Sequence, residues 1–286
     1  MTTTTAPGRR RLVASPGAWL TWALVVFFFV NLIAMVAMVV VNSVGTQWFG
    51  TWLPKHYVAH YYSDAWKEFS LGRVFRVTIE VAFLVMLFSV LLGVPAAYAL
   101  ARSNFPGKRL VMVLFLLPIL VPPITYGIPL ATVLYKYHLA GKLIGVVLAN
   151  LVPSVPFVVL TMTPFIEQID PKIEAAARMC GARTHAIFLR ILAPLLIPGI
   201  LAASILVLVR TVGMFELTFF TSGPTTQTLV VALYYSMFSA GIRAPQSIDA
   251  MAVMYTAWML LLLVVALRFV NPTQLVTRIK EEARNS

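Results

Sequence analysis

The chain has 286 residues, of which 60% are hydrophobic and only 11% are charged, and its mean hydropathy is +0.87. Soluble domains carry roughly 45–50% apolar and about 25% charged residues. A water-soluble fold is therefore excluded, and a lipid bilayer is expected to be the solvent for most of the chain. The single cysteine, Cys180, excludes an intramolecular disulfide framework and a CxxC metal site.

Six apolar segments are long enough to cross about 30 Å of hydrocarbon, which takes roughly 20 helical residues. Their apolar runs are continuous rather than alternating, which favours helices over barrel strands. The predicted spans are 19–41, 78–101, 110–134, 143–166, 191–212 and 248–270. The first is too long for a signal peptide and no clear A-x-A cleavage site follows it, so it is expected to remain. The predicted fold class is an all-α membrane protein with six transmembrane helices.

The basic residues that give the chain its net charge of +12 are distributed as the predicted membrane topology requires. With a cytoplasmic N-terminus, 14 of the 22 basic residues fall on the cytoplasmic side and seven outside, while Arg210 lies within the fifth span. Because positive charge is concentrated on cytoplasmic loops, both termini are predicted to be cytoplasmic. Residues 1–18 then form a basic cytoplasmic tail, 19–270 the membrane domain and 271–286 a second cytoplasmic tail. The charge thus gives no independent support for a nucleic-acid partner.

The outer segment between spans one and two is rich in Trp and Tyr, which usually mark the headgroup interface. The alternative is a docking surface for an external partner. His56 and His60 stand four residues apart, a spacing that could place both on one helix face. They lack the Glu of a metalloprotease motif and an obvious third ligand, so an interfacial pair is favoured over a metal site.

Four charged residues are predicted at or near membrane depth: Glu80, Arg210, Glu216 and Asp249. Charges there are costly without partners and are therefore candidates for a translocation path. The alternative is that Arg210 and Glu216 pair with each other or reach the interface. An excess of acids over bases suits a cationic cargo. The proline-rich spans three and four fit either a water-lined path or kinks that only shape helix packing.

The loop 167–190, between spans four and five, carries the strongest local signal. Asp170 before Pro171 is a typical helix start, since the carboxylate caps the first turn and proline lacks an N–H that would go unsatisfied. The following residues favour a helix, which Gly181 can end in a left-handed conformation. A second helix is predicted to begin near Thr184 and to run into the membrane. The first helix would lie across the cytoplasmic mouth and display small side chains.

This loop resembles the cytoplasmic loop of permease subunits of type I ABC importers, which carries an EAA motif, a following Gly and an I-x-L-P ending. With Gly181 as the anchor, Ile191 and Pro194 stand at the expected positions, while Ala193 replaces the usual Leu. Upstream, Ala176 and Ala177 match the Ala pair.

The Glu of the motif is shifted by one residue in this chain. Ala175 occupies the Glu position, and Glu174 is its neighbour. Many relatives carry two successive Glu residues there, so Glu174 corresponds to the first of them. A shift by one residue turns a helical side chain by about 100°. The resemblance implies that the ATPase-coupling residues are Glu174, Ala175, Ala176, Ala177 and Gly181.

The resemblance extends over about 75–270. It includes GVPAAYALAR at 93–102 and LPILVPP at 117–123, and also Phe215-Glu216 and Ser222-Gly223-Pro224. These patterns look most like the spermidine/putrescine-type branch, which implies a polyamine or related cationic solute. Sugar or polyol permeases share the loop and form the alternative.

The resemblance implies a bacterial inner-membrane subunit with four kinds of partner. These are an ABC ATPase dimer, a second permease subunit that is commonly a different chain, an extracytoplasmic substrate-binding protein and the lipid bilayer. Gly141-Lys142 lacks the other residues of a Walker A loop, so ATP is expected on the partner ATPases and no cofactor in this chain. A membrane enzyme or a channel is less well supported, because HExxH, GxSxG and a filter-like repeat are absent from the sequence.

Overall fold

The computed structural model describes residues 16–46, 53–238 and 244–269. Most of the first predicted tail, the whole of the second, and Trp48 and Trp52 of the outer segment lie outside the described residues. Within them the chain is helical, and an isolated bridge between Gly45 and Tyr57 is the only strand-like pairing. The helices are α1 (Pro16–Val44), α2 (His60–Glu68), α3 (Leu71–Arg102), α4 (Lys108–Leu120), α5 (Pro123–Lys136), α6 (Leu143–Glu167), α7 (Pro171–Met179), α8 (Thr184–Ile187), α9 (Ala193–Val212), α10 (Glu216–Thr221), α11 (Leu229–Phe238) and α12 (Pro245–Phe269).

Helices α3, α6 and α9 form the centre of the bundle. Val85, Val158 and Val207 are each fully buried where these three helices meet. Small residues allow the close approach: Gly93 of α3 faces Val158, and Gly199 of α9 faces the ring of Phe165 on α6. Small side chains are typical of helix contacts in membranes, where packing rather than water exclusion drives association.

Five described helices are single apolar spans, and α4 with α5 forms a sixth only as a bent pair. The predicted continuous span 110–134 is therefore wrong in its geometry, because the axes of α4 and α5 meet at 96°. The cause is the pair Pro122-Pro123. Proline disfavours a helical conformation in the residue before it and removes a backbone donor, so Val121 and Pro122 adopt extended ψ values.

Prolines in the fourth span have a different outcome. Helix α6 continues for 25 residues through Pro153, Pro156 and Pro164. Pro153 and Pro156 are buried inside the bundle, where neighbouring helices can compensate for the lost hydrogen bonds. Proline content alone therefore does not identify the broken span.

Helix α1 lies at the edge of the bundle, and its apolar side chains are almost entirely exposed. It packs against α12 and touches α2. Two polar contacts fix its C-terminal end: the Asn42 amide donates to the carboxylate of Asp249, and the hydroxyls of Ser43 and Tyr62 are 2.8 Å apart. The remaining surface of α1 suits lipid or another apolar chain.

After α9 the chain continues in two short helices, α10 and α11, that contact the bundle. Helix α10 packs against α5 and α6, where the Asn150 amide donates to the Thr218 hydroxyl at 3.2 Å. The N–H of Leu229, at the start of α11, donates to the Thr78 hydroxyl on α3 at 2.9 Å. Neither α10 nor α11 was predicted from the sequence, because segments of six and ten residues fall below the length of a membrane span.

Candidate functional site

Helix α7 has the boundaries that its end residues predict. The Asp170 carboxylate accepts a hydrogen bond from the Lys172 N–H at 2.9 Å, and Pro171 is the first helical residue. Gly181 has a φ of 81°, the left-handed conformation expected of a glycine just past a helix end. The predicted second helix also begins at Thr184, and it continues through a π-helical turn at Phe188–Leu192 into α9.

The outer face of α7 is open to solvent. Met179 is 89% exposed and Ile173 is 42% exposed. Ala175 and Ala176 lie on the exposed surface, while Ala177 is partly buried against the core. Two large apolar side chains beside small ones form a surface that another protein can approach closely.

Glu174 points the other way. Its carboxylate is almost completely buried and faces Tyr98 and Arg102, both on α3. Ala175, which stands at the Glu position of the motif, lies on the exposed surface. The expected contact of Glu174 with an ATPase stays a prediction, and within this chain the carboxylate is already occupied.

Arg210 lies close to the end of α9, and its side chain reaches the middle of α6. Its guanidinium sits 5.6 Å from the centre of the Phe157 ring on α6. Phe157 comes 14 residues after Leu143, the first residue of α6, which is about 21 Å along the helix axis. The remaining ten residues to Glu167 add about 15 Å, so the contact lies near the middle of the span.

Arg210 is near the end of α9, and Glu216 is the first residue of α10. No salt bridge within 4.0 Å links either of them to a described residue. Arg210 and Glu216 are both half-buried. The structure therefore does not show the alternative, a direct ion pair between Arg210 and Glu216.

The other two predicted path residues lie elsewhere. Glu80 is exposed on α3, and no described hydrogen bond or ion pair joins it to Arg210 or Glu216. Asp249 accepts the hydrogen bond from Asn42 at the contact of α12 with α1. The structure therefore does not join the four predicted charges in one site: Arg210 and Glu216 flank the turn between α9 and α10, and the other two lie apart from them.

Aromatic side chains join α10, which begins at Glu216, to α11. The rings of Phe215 and Phe219 stack at 5.1 Å, and Phe219 also stacks on Tyr235 at 5.6 Å. Tyr234 contacts both phenylalanines edge-on or tilted. We call these four residues the aromatic cluster. It joins α10 to α11, and neither was identified from the sequence.

His56 and His60 do not share a helix face, because α2 begins at His60 and His56 precedes it. The His60 imidazole lies 3.8 Å from the Asp64 carboxylate on the exposed side of α2. Within the part of the chain that the structure describes, no group of three or more His, Cys, Asp or Glu residues could hold a metal ion.

Tyr98 and Arg102 are the clearest site residues that sequence reasoning missed. They end an apolar helix, where a basic residue ordinarily marks the cytoplasmic boundary. The signal that could have identified them is the position of Glu174, directly before Ala175, Ala176 and Ala177 on α7. A carboxylate beside three alanines, on the inner face of a short helix, requires a buried cationic partner.

A bundle of apolar helices with one broken span and a short exposed helix in a loop is typical of an integral membrane protein. Residues 89–272 match the family model of the binding-protein-dependent transport system inner membrane component. The chain belongs to this family, and it is a multi-pass permease subunit of an ABC importer, with no enzymatic activity of its own.

Individual relatives differ in the solute that their names give. The chain is 33% identical to a molybdenum transport system permease of Haemophilus influenzae, over 56% of this chain and 76% of that protein. It is 33% identical to a trehalose transport system permease of Mycobacterium tuberculosis, over 46% of this chain and 48% of that protein.

A solved structure has the same fold. It is that of a bacterial ABC transporter involved in the import of the acidic polysaccharide alginate, with a TM-score of 0.74 and 16% identity. The match covers 92% of this chain and 99% of that one.

Proposed function

We propose that the chain forms one half of a solute path, with both termini in the cytoplasm and α7 as the helix that receives movement from an ABC ATPase dimer. A second permease subunit completes the path, and an extracytoplasmic binding protein delivers the solute. The binding-protein dependence in the family description supports the last partner. The exposed face of α7, with Met179 and Ile173 beside alanines, supports the first.

Arg210 is the observation that supports the path most strongly. Its guanidinium lies beside the middle of the apolar helix α6 and is partly buried, without an ion pair in the described region. Such a charge cannot face lipid without a large cost, so it faces water or another chain.

We propose that the solute carries an anionic group, as an oxyanion of the molybdate kind does. Arg offers planar, paired donors that suit such oxygens. The expectation of a cationic solute depended on an excess of acids at depth, but Asp249 is bound to Asn42, and the base Arg210 lies six residues before Glu216. The two relatives described above are named for molybdenum and trehalose rather than for a polyamine.

The experiment is uptake of labelled molybdate by the assembled importer in vesicles, with Arg210→Gln and Lys136→Gln compared. Lys136 is an exposed base at the end of α5 and serves as the matched control. Losing a hydrogen-bonded charge contact of about 1.5–3 kcal/mol should raise the half-saturating concentration roughly 10- to 150-fold for Arg210→Gln. Equal uptake by both variants would remove Arg210 from the path.

A sugar is the second candidate, and the aromatic cluster favours it. Stacked rings beside charged hydrogen-bonding groups form a mostly apolar surface with a few placed polar groups, as in many sites for small organic ligands. Binding of molybdate, trehalose and putrescine to the binding protein, measured by calorimetry, separates the candidates. Trehalose binding alone would favour the sugar, and putrescine binding alone would overturn the anionic assignment.

A further inference from the structure

The contact between Glu174 and α3 is unusual for a helix that is otherwise open to solvent. The Glu174 side chain is only 3% exposed, whereas the side chain of Arg178, one turn later, is 56% exposed. A fully buried carboxylate is retained only where partners compensate for its lost hydration. Glu174 therefore has a specific role on the inner face of α7.

Two residues of α3 bind this carboxylate. The Arg102 Nε–H donates to one oxygen at 2.7 Å, and the Tyr98 hydroxyl donates to the other at 2.8 Å. The same Arg102 guanidinium donates to the carbonyl of Ile169 at 2.7 Å. One side chain at the end of α3 thus holds both α7 and the turn that precedes it. We call Tyr98, Arg102 and Glu174 the Arg102–Glu174 cluster.

Arg178 is a weaker partner of the same carboxylate. Its guanidinium lies 3.5 Å away and is mostly in solvent, where an ion pair contributes little. Tyr98 is also fixed from the other side, since its ring contacts the Phe188 ring at a centroid distance of 5.4 Å. Phe188 begins the π-helical turn that leads into α9. The cluster therefore lies where α3, α7 and the start of α9 meet.

We propose that Tyr98, Arg102 and Glu174 are positioning residues that join α7 rigidly to the cytoplasmic end of α3. A displacement of α7 is then passed to α3, which packs against both α6 and α9 at the centre of the bundle. Glu174 acts through its own chain, and the exposed face of α7 is left for the ATPase. This inference rests on the proposed role of α7 in coupling.

The test compares Arg102→Gln with Arg178→Gln in the assembled importer in vesicles. The readout is the number of ATP molecules hydrolysed for each solute imported. Since coupling between sites typically amounts to about 5- to 150-fold, Arg102→Gln should raise this ratio about tenfold or more. Arg178→Gln removes the weak pair from the same carboxylate and should stay within about twofold of the wild type. An unchanged ratio in Arg102→Gln would overturn the proposal.

Two conservative variants keep the proposal testable if Arg102→Gln does not assemble. Arg102→Lys keeps the charge but replaces the two separate guanidinium nitrogens that reach Glu174 and Ile169 by a single ammonium nitrogen, and Tyr98→Phe removes one hydrogen bond alone. Both should raise the ratio by less than Arg102→Gln, and hydrogen exchange of residues 171–179 should become faster in both. Wild-type ratios and exchange in both variants would contradict the cluster's role.

The proposed coupling function fails in a distinguishable way. If the wild-type complex itself shows no ATP-dependent import, α7 does not couple, whatever the variants do. If the wild type imports normally and every cluster variant matches it, only the positioning role is overturned.

Discussion

Replacing Gly93 by alanine tests how closely α3 and α6 approach each other. An added Cβ would lie 2.7 Å from the Cβ of Val158 and 3.3 Å from the carbonyl oxygen of Val155. Favourable carbon–carbon separations are about 3.5–4.0 Å, so the helices must move apart by about 1 Å. Overpacking of this kind costs about 1–3 kcal/mol, which outweighs the gain of up to about 1 kcal/mol that alanine offers in a helix.

Gly72→Ala is the matched control, because Gly72 lies on the same helix and its added Cβ would meet nothing closer than a Trp66 ring carbon at 3.7 Å. The free energy of unfolding, measured by titrating the purified protein with a denaturing detergent, should fall for Gly93→Ala relative to Gly72→Ala by about 2 kcal/mol. Equal stability of the two variants would refute the close packing of α3 on α6.

Three further changes test individual contacts. Thr78→Val leaves the Leu229 N–H without its acceptor, so the free energy of unfolding should fall by about 1–3 kcal/mol and the amide of Leu229 should exchange faster; unchanged exchange would contradict the contact. Asp170→Ala removes the cap of α7 and should cost that helix about 1 kcal/mol, measured by exchange of residues 171–179, with Asp170→Asn as the conservative control. Gly181→Ala places a side chain at a left-handed backbone position, which costs about 1 kcal/mol or more. This variant should lower import more than it lowers ATP hydrolysis. An equal loss of both activities would contradict a coupling role for the end of α7.

Bulky residues at the exposed alanines of α7 test the coupling surface. Ala176→Trp should block the approach of the ATPase and lower import without unfolding the bundle, since Ala176 lies outside the core. Ala175→Glu restores the motif residue on the exposed face and should be tolerated. Full import by Ala176→Trp would contradict the assignment of this face.

The membrane spans and the loop helix could be predicted because their signals are local. Hydrophobic length identified five spans, and Asp170-Pro171 and Gly181 marked the ends of α7. The break at Val121 and Pro122 was not predicted, since Pro153 and Pro156 lie within a continuous helix and the sequence does not distinguish the two cases. What differs is the packing around them, which is a property of the whole bundle.

The candidate sites were harder to predict because they join distant parts of the chain. Glu174 and Arg102 are 72 residues apart, and Asn42 and Asp249 are 207 apart. Charge at membrane depth marked Asp249 as an acid in need of a partner, but it could not identify Asn42 as that partner. Glu174 and Ala175 are neighbours on α7, and the rotation of this helix about its axis decides which of them faces the bundle. That rotation is seen only in the structure.

The most direct test of the account is solute uptake into vesicles that contain this chain, its permease partner and the ATPases, with loaded binding protein outside. The account predicts accumulation of molybdate that stops when ATP is omitted and that weakens with Arg210→Gln far more than with Lys136→Gln. Uptake that persists without ATP, or accumulation of putrescine with no dependence on Arg210, would contradict it.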